Sequence, residues 1–336
     1  MKNAKYKVLR LNSRLFPLIS QEIKELDKIG IDLIKIDGDE ILPEFVDADA
    51  LMVVSAKVKG NTIKKLSKCR LIARIGIGTD KIDVDAATAN GIIVTNVPDF
   101  CRSELADHTM ALLLAVARKL IQLDKATRLS DWSIRDKASV KRIAGKKLGL
   151  IGFGRLARAF AHRAKAFELK IYAYDPYVEA KEMQKFGVIK VNSLEDIIKD
   201  CEFISLHLPL NSETFHIIGE KQLRMMKSSA ILINTARGAV VDEDALIKAL
   251  SEGWISGAGI DVFEKLNPFE EVPTKQYSPL FSLENVVLTP HVAALSDEAL
   301  VEVKIKAAQE VVRVLSGKWP KNCVNPDVIP RFSLSV

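Results

Sequence analysis

Short apolar runs alternate with amphipathic stretches over the first hundred residues. The segments YKVLRL (6–11), DLIKID (32–37), ALMVVS (50–55), LIARIGIG (71–78) and IIVTNV (92–97) have the length and side-chain types of strands. LISQEIKELDKI (18–29) and NTIKKLSK (61–68) lie between them with helical spacing. That βαβ rhythm predicts a parallel sheet. One long helix is expected next, over SELADHTMALLLAVARKLIQLDKA (103–126), with Ser103 as its N-cap and Glu104 and Asp107 near the positive end of its dipole.

A second series begins at Lys146. Its strands are KLGLIGFG, KIYAYD, FISLHLP, AILINTAR, ISGAGIDVF and NVVLTPHV, six in all, with helical stretches between most of them. Six strands in that rhythm match a dinucleotide-binding sheet. SDEALVEVKIKAAQEVVRVLSG (296–317) then reads as one amphipathic helix capped by Ser296. The expected fold is α/β with two domains. The first is built from residues 1–102 and 295–336, and the second, 103–294, is inserted into it.

The chain length of 336 residues agrees with two domains. An apolar content of 48% with 27% charged residues describes a soluble globule. The longest apolar run, Met110 to Ala117, is too short to span a bilayer and reads as a buried helix, and the opening residues lack the apolar run of a signal peptide. No membrane partner is expected. Cys69, Cys101, Cys201 and Cys323 are scattered without CxxC spacing, which predicts thiols in a reducing cytoplasm, with neither disulfides nor zinc. The net charge of +6 is dispersed and aromatic residues make up only 6%, so no nucleic-acid groove is expected. The excess charge favours small anions instead.

The candidate chemistry starts in KLGLIGFGRLARAF. Gly152, Gly154 and Ala157 form a G-x-G-x-x-A pattern between a strand and a helix. Gly152 permits the tight turn, Gly154 admits a pyrophosphate to the backbone, and Ala157 keeps helix and strand close. The N–H groups at the helix start, around Arg155 and Leu156, face the anion. Asp175 ends the next strand, where a carboxylate accepts hydrogen bonds from ribose hydroxyls and repels a 2′-phosphate, so NAD (as NADH) is expected over NADP. Asp175 also suits a turn before Pro176, and the two roles are compatible.

These and further residues resemble the D-isomer-specific 2-hydroxyacid dehydrogenases along nearly the whole chain. The carriers are GIGTDKIDVDAATANGIIVTNVPDF, ELADHTMALLLA, GKKLGLIGFGRLA, HLPLNSETFHII, ILINTARGAVVDEDAL, GAGIDVF and NVVLTPHVA, in the family's order. Arg102 to His108 and the ending EALVEVKIKAAQEVVRVLSGK look closest to the branch related to C-terminal-binding proteins, which are NAD-binding corepressors. The resemblance implies a doubly wound cofactor domain inserted into a flavodoxin-like substrate domain. It implies a homodimer through the cofactor domain and a small anionic 2-keto or 2-hydroxy acid as substrate. The chain's ending leads us to expect no added regulatory domain.

It also implies roles. Arg237, in NTARG, matches the arginine that holds the substrate, and its planar fork suits a carboxylate. His291, in TPHVA, matches the general acid. Asp261 matches an aspartate near the nicotinamide carboxamide, and Thr235 and Ala236 the same cofactor wall. His207, Pro209 and Thr214 belong to a segment that lines the cofactor in the family. Backbone N–H groups at Ile77 and Gly78 resemble the loop receiving the substrate carboxylate. His108, His162 and His216 have poorer claims and read as surface or packing residues.

The stretch DVFEKLNPFEE departs from the pattern. The family pairs its histidine with a glutamate five residues after the aspartate and directly before a proline. Here Leu266 holds the fifth place and Asn267 precedes Pro268. An adjacent carboxylate commonly raises a histidine pKa by about one to three pH units. Asn267 in that place, through a one-residue insertion, orients the imidazole without that charge, so reduction is expected to fall off at a lower pH. Glu264, Glu270 and Glu271 read as solvated charges, with Glu270 reaching back to the histidine as the alternative. Two functions follow: an NAD-dependent reductase of 2-keto acids, or an NAD(H)-sensing scaffold with little turnover. Glyoxylate, hydroxypyruvate, pyruvate and the phosphoglycerate direction all stay open, with Arg74, Lys81 and Arg102 as nearby cations.

Overall fold

A computed structural model describes residues 5–14, 16–38, 41, 43–266, 269 and 277–335. They pack as two units. Residues up to Phe100, Phe269 and those from Ser296 onward make the first, and Cys101 to Leu266 with Tyr277 to Leu295 make the second.

The first unit contains β1 (Tyr6–Arg10), α1 (Ser20–Leu26), β2 (Ile31–Lys35), β3 (Ala50–Val53), α2 (Gly60–Lys65), β4 (Leu71–Arg74), α3 (Val84–Ala89) and β5 (Ile93–Thr95). Every strand pairing is parallel and the order is β2-β1-β3-β4-β5, the flavodoxin-like arrangement. β3 is buried at all four positions, as expected of a strand covered on both faces. The five expected strands all form. The α3 helix was not expected from the sequence; Asp83 caps it by accepting from Ala86 N. Beyond the expected helices, residues 323–325 cover the β5 edge. Val324 N donates to Val94 O, and the Asn325 amide accepts from Val94 N while donating to Ile92 O.

The second unit holds α4 (Arg102–Ala117), α5 (Leu120–Arg128), α6 (Ile134–Lys137), β6 (Lys147–Ile151), α7 (Arg155–Ala166), β7 (Lys170–Tyr174), α8 (Ala180–Gln184), β8 (Ile189–Lys190), α9 (Leu194–Asp200), β9 (Phe203–Leu206), α10 (Glu220–Met225), β10 (Ile231–Asn234), α11 (Glu243–Ser251), β11 (Gly257–Ile260) and β12 (Val286–Leu288). The returning helix α12 (Asp297–Leu315) belongs to the first unit, and Ser296 caps it through Ala299 N as expected.

The second sheet is also wholly parallel, in the order β12-β11-β10-β9-β6-β7-β8. Strand order reverses between β6 and β9, and open α/β sheets bind ligands at such a point, outside the carboxyl ends of the strands. The seventh strand, β8, spans two residues, too short to leave a period in the sequence. The long helix expected over 103–126 is two helices, because Lys119 turns left-handed at φ 54°. Ser103 is not its cap. The helix begins at Arg102, with Cys101 at the cap position and no capping hydrogen bond from its side chain. Met110, Leu112, Leu113 and Val116 are buried in α4, in line with the reading of a buried helix.

Candidate functional site

The phosphate turn links β6 to α7. Gly152 is left-handed at φ 89°, and a Cβ there would stand 2.5 Å from His207 O, so only glycine fits. At Gly154, the N-cap of α7, an added Cβ would meet nothing within 4 Å. That open space lies before Arg155 and Leu156, whose N–H groups have no partner one turn back in the helix. Ala157 is fully buried. Asp175 follows β7, and its Oδ2 accepts from Phe153 N at 2.8 Å while Oδ1 accepts from Tyr177 N at 2.9 Å. A carboxylate is thus fixed against the glycine turn, one strand away from the open cradle. These residues fit a dinucleotide with its pyrophosphate at the helix start.

After β9, the His207 ring lies 5.5 Å from that of Phe160 and its Nε2 is 3.0 Å from Ser205 Oγ. Burial pushes its pKa down to about 4, which leaves the imidazole neutral at pH 7. Pro209 is exposed. Its carbonyl accepts from Thr214 Oγ1 at 2.7 Å, and that hydroxyl also accepts from Asn211 N at 2.9 Å. Thr214 therefore staples its own loop.

The turn after β10 is built on Asn234. Its side chain accepts from Ala236 N at 3.0 Å and donates to Arg237 O at 2.9 Å. Arg237 is half-buried, and Nη1 donates to Ala236 O at 2.7 Å. Thr235 is buried with its hydroxyl 3.0 Å from that of Thr109. At Gly238 a Cβ would fall 2.1 Å from Phe263 C and O, so the turn carrying Arg237 lies directly against the chain after β11.

Asp261 directly follows β11 and is 1% exposed. Its Oδ1 accepts from Thr289 Oγ1 at 2.6 Å and Val292 N at 2.9 Å, and Oδ2 accepts from Ala293 N at 3.0 Å. Its backbone oxygen accepts from His291 N at 2.9 Å. His291 itself is half-buried and left-handed, with φ 60°. The carboxylate thus fills a nest of consecutive backbone N–H groups. His108, set aside in the sequence, joins this cluster, with Nε2 3.0 Å from Thr289 Oγ1 and 3.7 Å from Asp261 Oδ1. A histidine followed by threonine directly before the apolar run from Met110 was the available signal.

Two other expectations change. Glu264 is not a solvated charge. Its Oε1 is 2.7 Å from His216 Nε2, and its Oε2 accepts from Glu243 N at 3.2 Å. Glu243 is buried and returns a bond, accepting from Glu264 N at 2.9 Å. The Gly238 contact draws these groups together, so His216 is part of a clasp behind the Arg237 turn. Asn267, Pro268, Glu270 and Glu271 lie outside the described residues, and Leu266 is half-buried.

In the first unit, Ile77 and Gly78 follow β4. Ile77 O accepts from Asn96 Nδ2 at 2.7 Å and Gly78 O from Arg74 Nε at 2.9 Å. Both carbonyls are thereby committed, and both residues are half-buried.

Known proteins share this architecture. The family profile described as D-isomer specific 2-hydroxyacid dehydrogenase, NAD binding domain, matches residues 110–293. A glyoxylate reductase of Thermococcus litoralis is 42% identical over 86% of this chain and 87% of its own. A D-3-phosphoglycerate dehydrogenase of Methanocaldococcus jannaschii is 40% identical over 95% of this chain, which spans only 60% of that longer relative. The solved D-lactate dehydrogenase of Aquifex aeolicus, in complex with NAD and lactic acid, superposes with a TM-score of 0.82 at 28% identity, covering 92% of this chain and 96% of its own. Matched by that profile over more than half its residues, and by such relatives over most of its length, the chain belongs to the D-isomer-specific 2-hydroxyacid dehydrogenases, a family of NAD-binding oxidoreductases.

Proposed function

We propose that the protein interconverts a small 2-keto acid and its D-2-hydroxy acid, with Arg237 holding the substrate carboxylate and carbonyl and His291 as acid and base. Bound NADH supplies the hydride. A guanidinium offers two parallel donors to a carboxylate, which suits Arg237 to that part. The His291 imidazole gives a proton to the carbonyl oxygen in reduction and takes it back in oxidation. The N–H groups of Ile77 and Gly78 are assigned to the substrate carboxylate, which the commitment of both carbonyls supports. The first unit is accordingly the substrate domain and the second the cofactor domain. Gly152, Gly154, Arg155, Leu156 and Asp175 are assigned to the dinucleotide, with His207, Pro209, Thr214, Thr235 and Ala236 along its wall. Asp261 is assigned to the same region through the turn it holds.

The observation that carries this reading is the left-handed His291 in the turn after β12, held there through Asp261. Such conformations persist only where their surroundings fix them, and they gather at functional sites. Glyoxylate heads the substrate list, because relatives similar over most of their length are named for it. A homodimer is part of the reading, supported by the exposed Leu120, Ile121, Leu129 and Trp132 on and after α5. A cytoplasmic setting accords with four free cysteines.

A second reading is an NAD(H)-sensing scaffold of the C-terminal-binding-protein branch. It draws on the Arg102–His108 stretch and on Asn267 standing before Pro268, where the resemblance expects glutamate. NADH oxidation against glyoxylate, hydroxypyruvate, pyruvate and 3-phosphohydroxypyruvate, from acid to alkaline pH, separates the two. Turnover that His291→Ala abolishes supports the dehydrogenase, whereas NADH binding without turnover of any of these acids turns the conclusion to the scaffold.

A further inference from the structure

We propose that His108 is a positioning residue for His291, acting through a directed hydrogen-bond relay over Thr289 and Asp261. The inference deepens the dehydrogenase reading and rests on it for the role of His291.

The direction of the relay follows from the inventory of protons. Thr289 has one hydroxyl proton and stands 2.6 Å from Asp261 Oδ1, an oxygen that already accepts from Val292 N while its twin accepts from Ala293 N. The hydroxyl therefore donates to the carboxylate and turns a lone pair to His108 Nε2, 3.0 Å away. His108 must carry its proton on that nitrogen to complete the bond. Asp261 in turn gathers the N–H groups of His291, Val292 and Ala293. The chain of bonds thus runs from the side of α4 to the backbone that aims His291.

The neighbouring residue does the same for the other turn. Thr109 donates to Leu105 O at 2.6 Å, so Thr235 is the donor across their 3.0 Å contact. Thr235 stands two residues before Arg237. Consecutive residues of one helix therefore brace the His291 turn and the Arg237 turn. Because α4 is anchored by buried apolar residues, it holds both turns against a rigid reference.

The test uses the full chain with His108→Phe, which keeps the ring and removes the donor, and His108→Gln, which places an amide N–H near the same point. Thr289→Val cuts the relay in its middle and leaves α4 untouched. His108→Phe and Thr289→Val are expected to lower kcat with glyoxylate by about tenfold to 100-fold. KM and the NADH dissociation constant are expected to stay within about twofold, since the Asp261 carboxylate keeps its bonds to Val292 N and Ala293 N in both variants. Deuterium exchange at the Val292 and Ala293 amides is expected to quicken in both variants. His108→Gln should recover most of kcat and the slow exchange. Unchanged exchange in His108→Phe, or equal losses in the Phe and Gln variants, would overturn the proposal. If the unaltered protein turns over no keto acid, the dehydrogenase reading falls, and the exchange measurement still decides the relay.

Discussion

The backbone oxygen of Asp261 holds the N–H of His291 at 2.9 Å, while its carboxylate takes the next two N–H groups of the same turn. One buried acid thereby fixes a histidine in a conformation that side-chain-bearing residues seldom adopt. The family resemblance points Asp261 toward the cofactor. The bonds present give its carboxylate a further task, which is to shape the turn that carries the imidazole.

Asp261→Asn tests that task. The amide keeps the shape but turns an N–H₂ toward at least one backbone donor. An unsatisfied buried donor costs about 1–3 kcal/mol, so the urea midpoint should fall accordingly. With glyoxylate, kcat should drop by tenfold or more, in line with a displaced acid. NADH affinity, read by fluorescence titration, should hold within about twofold. A large loss of NADH affinity with little loss of kcat would return the carboxylate to the cofactor.

The two glycines of the phosphate turn should respond oppositely to alanine. Gly152→Ala places a Cβ 2.5 Å from His207 O at a left-handed residue. Strain on the order of 1–3 kcal/mol should lower the melting temperature with or without cofactor. Gly154→Ala meets no protein atom within 4 Å and has φ −74°, so the apoprotein should melt within about 0.5 kcal/mol of the original. Its NADH affinity should still fall by roughly tenfold or more, because the methyl enters the space left for a pyrophosphate. Unchanged NADH binding by Gly154→Ala would place the phosphates elsewhere.

What the sequence made legible was local or fully buried. The phosphate turn reads directly because two glycines and an alanine answer three steric demands within six residues. Most strands read easily because a covered parallel sheet makes them continuous apolar runs. What escaped depends on partners far along the chain. His108 meets Thr289 across 181 residues, and His216 meets Glu264 across 48. Glu264 looked solvated because nothing near it in sequence announces Glu243. The break at Lys119 was hidden for another reason. The residues on both sides favour helix, and one left-handed residue redirects the chain without a glycine or proline to mark it.

The homodimer reading predicts a surface. Leu129 and Trp132 are each 72% exposed, and Leu120 and Ile121 of α5 are exposed as well. Burying a large apolar side chain is worth about 1.5–3 kcal/mol, so two of them account for a hundredfold or more in dimer dissociation. The pair Leu129→Asp and Trp132→Glu should shift a sedimenting dimer to monomer while circular dichroism stays unchanged. A dimer that resists both changes has its interface on another face.

His207 should make the fold sensitive to mild acid. Its pKa is lowered by burial from an unfolded value near 6.5 to about 4, so the folded state prefers the neutral ring. Between those values the unfolded chain binds the extra proton and the folded chain does not. The contribution is therefore complete above pH 6.5 and is lost as pH falls toward 4. Its size is on the order of 2–3 kcal/mol, taking account of the ring's partial exposure. His207→Gln removes the titration while keeping a polar group beside Ser205. Urea midpoints measured at intervals from neutral pH down to about pH 4 should fall more steeply for the unaltered protein than for the variant, and the two curves should converge toward the acid end. Parallel curves across that window would mean that His207 titrates alike in both states, and the neutral imidazole would then not be a property the fold imposes.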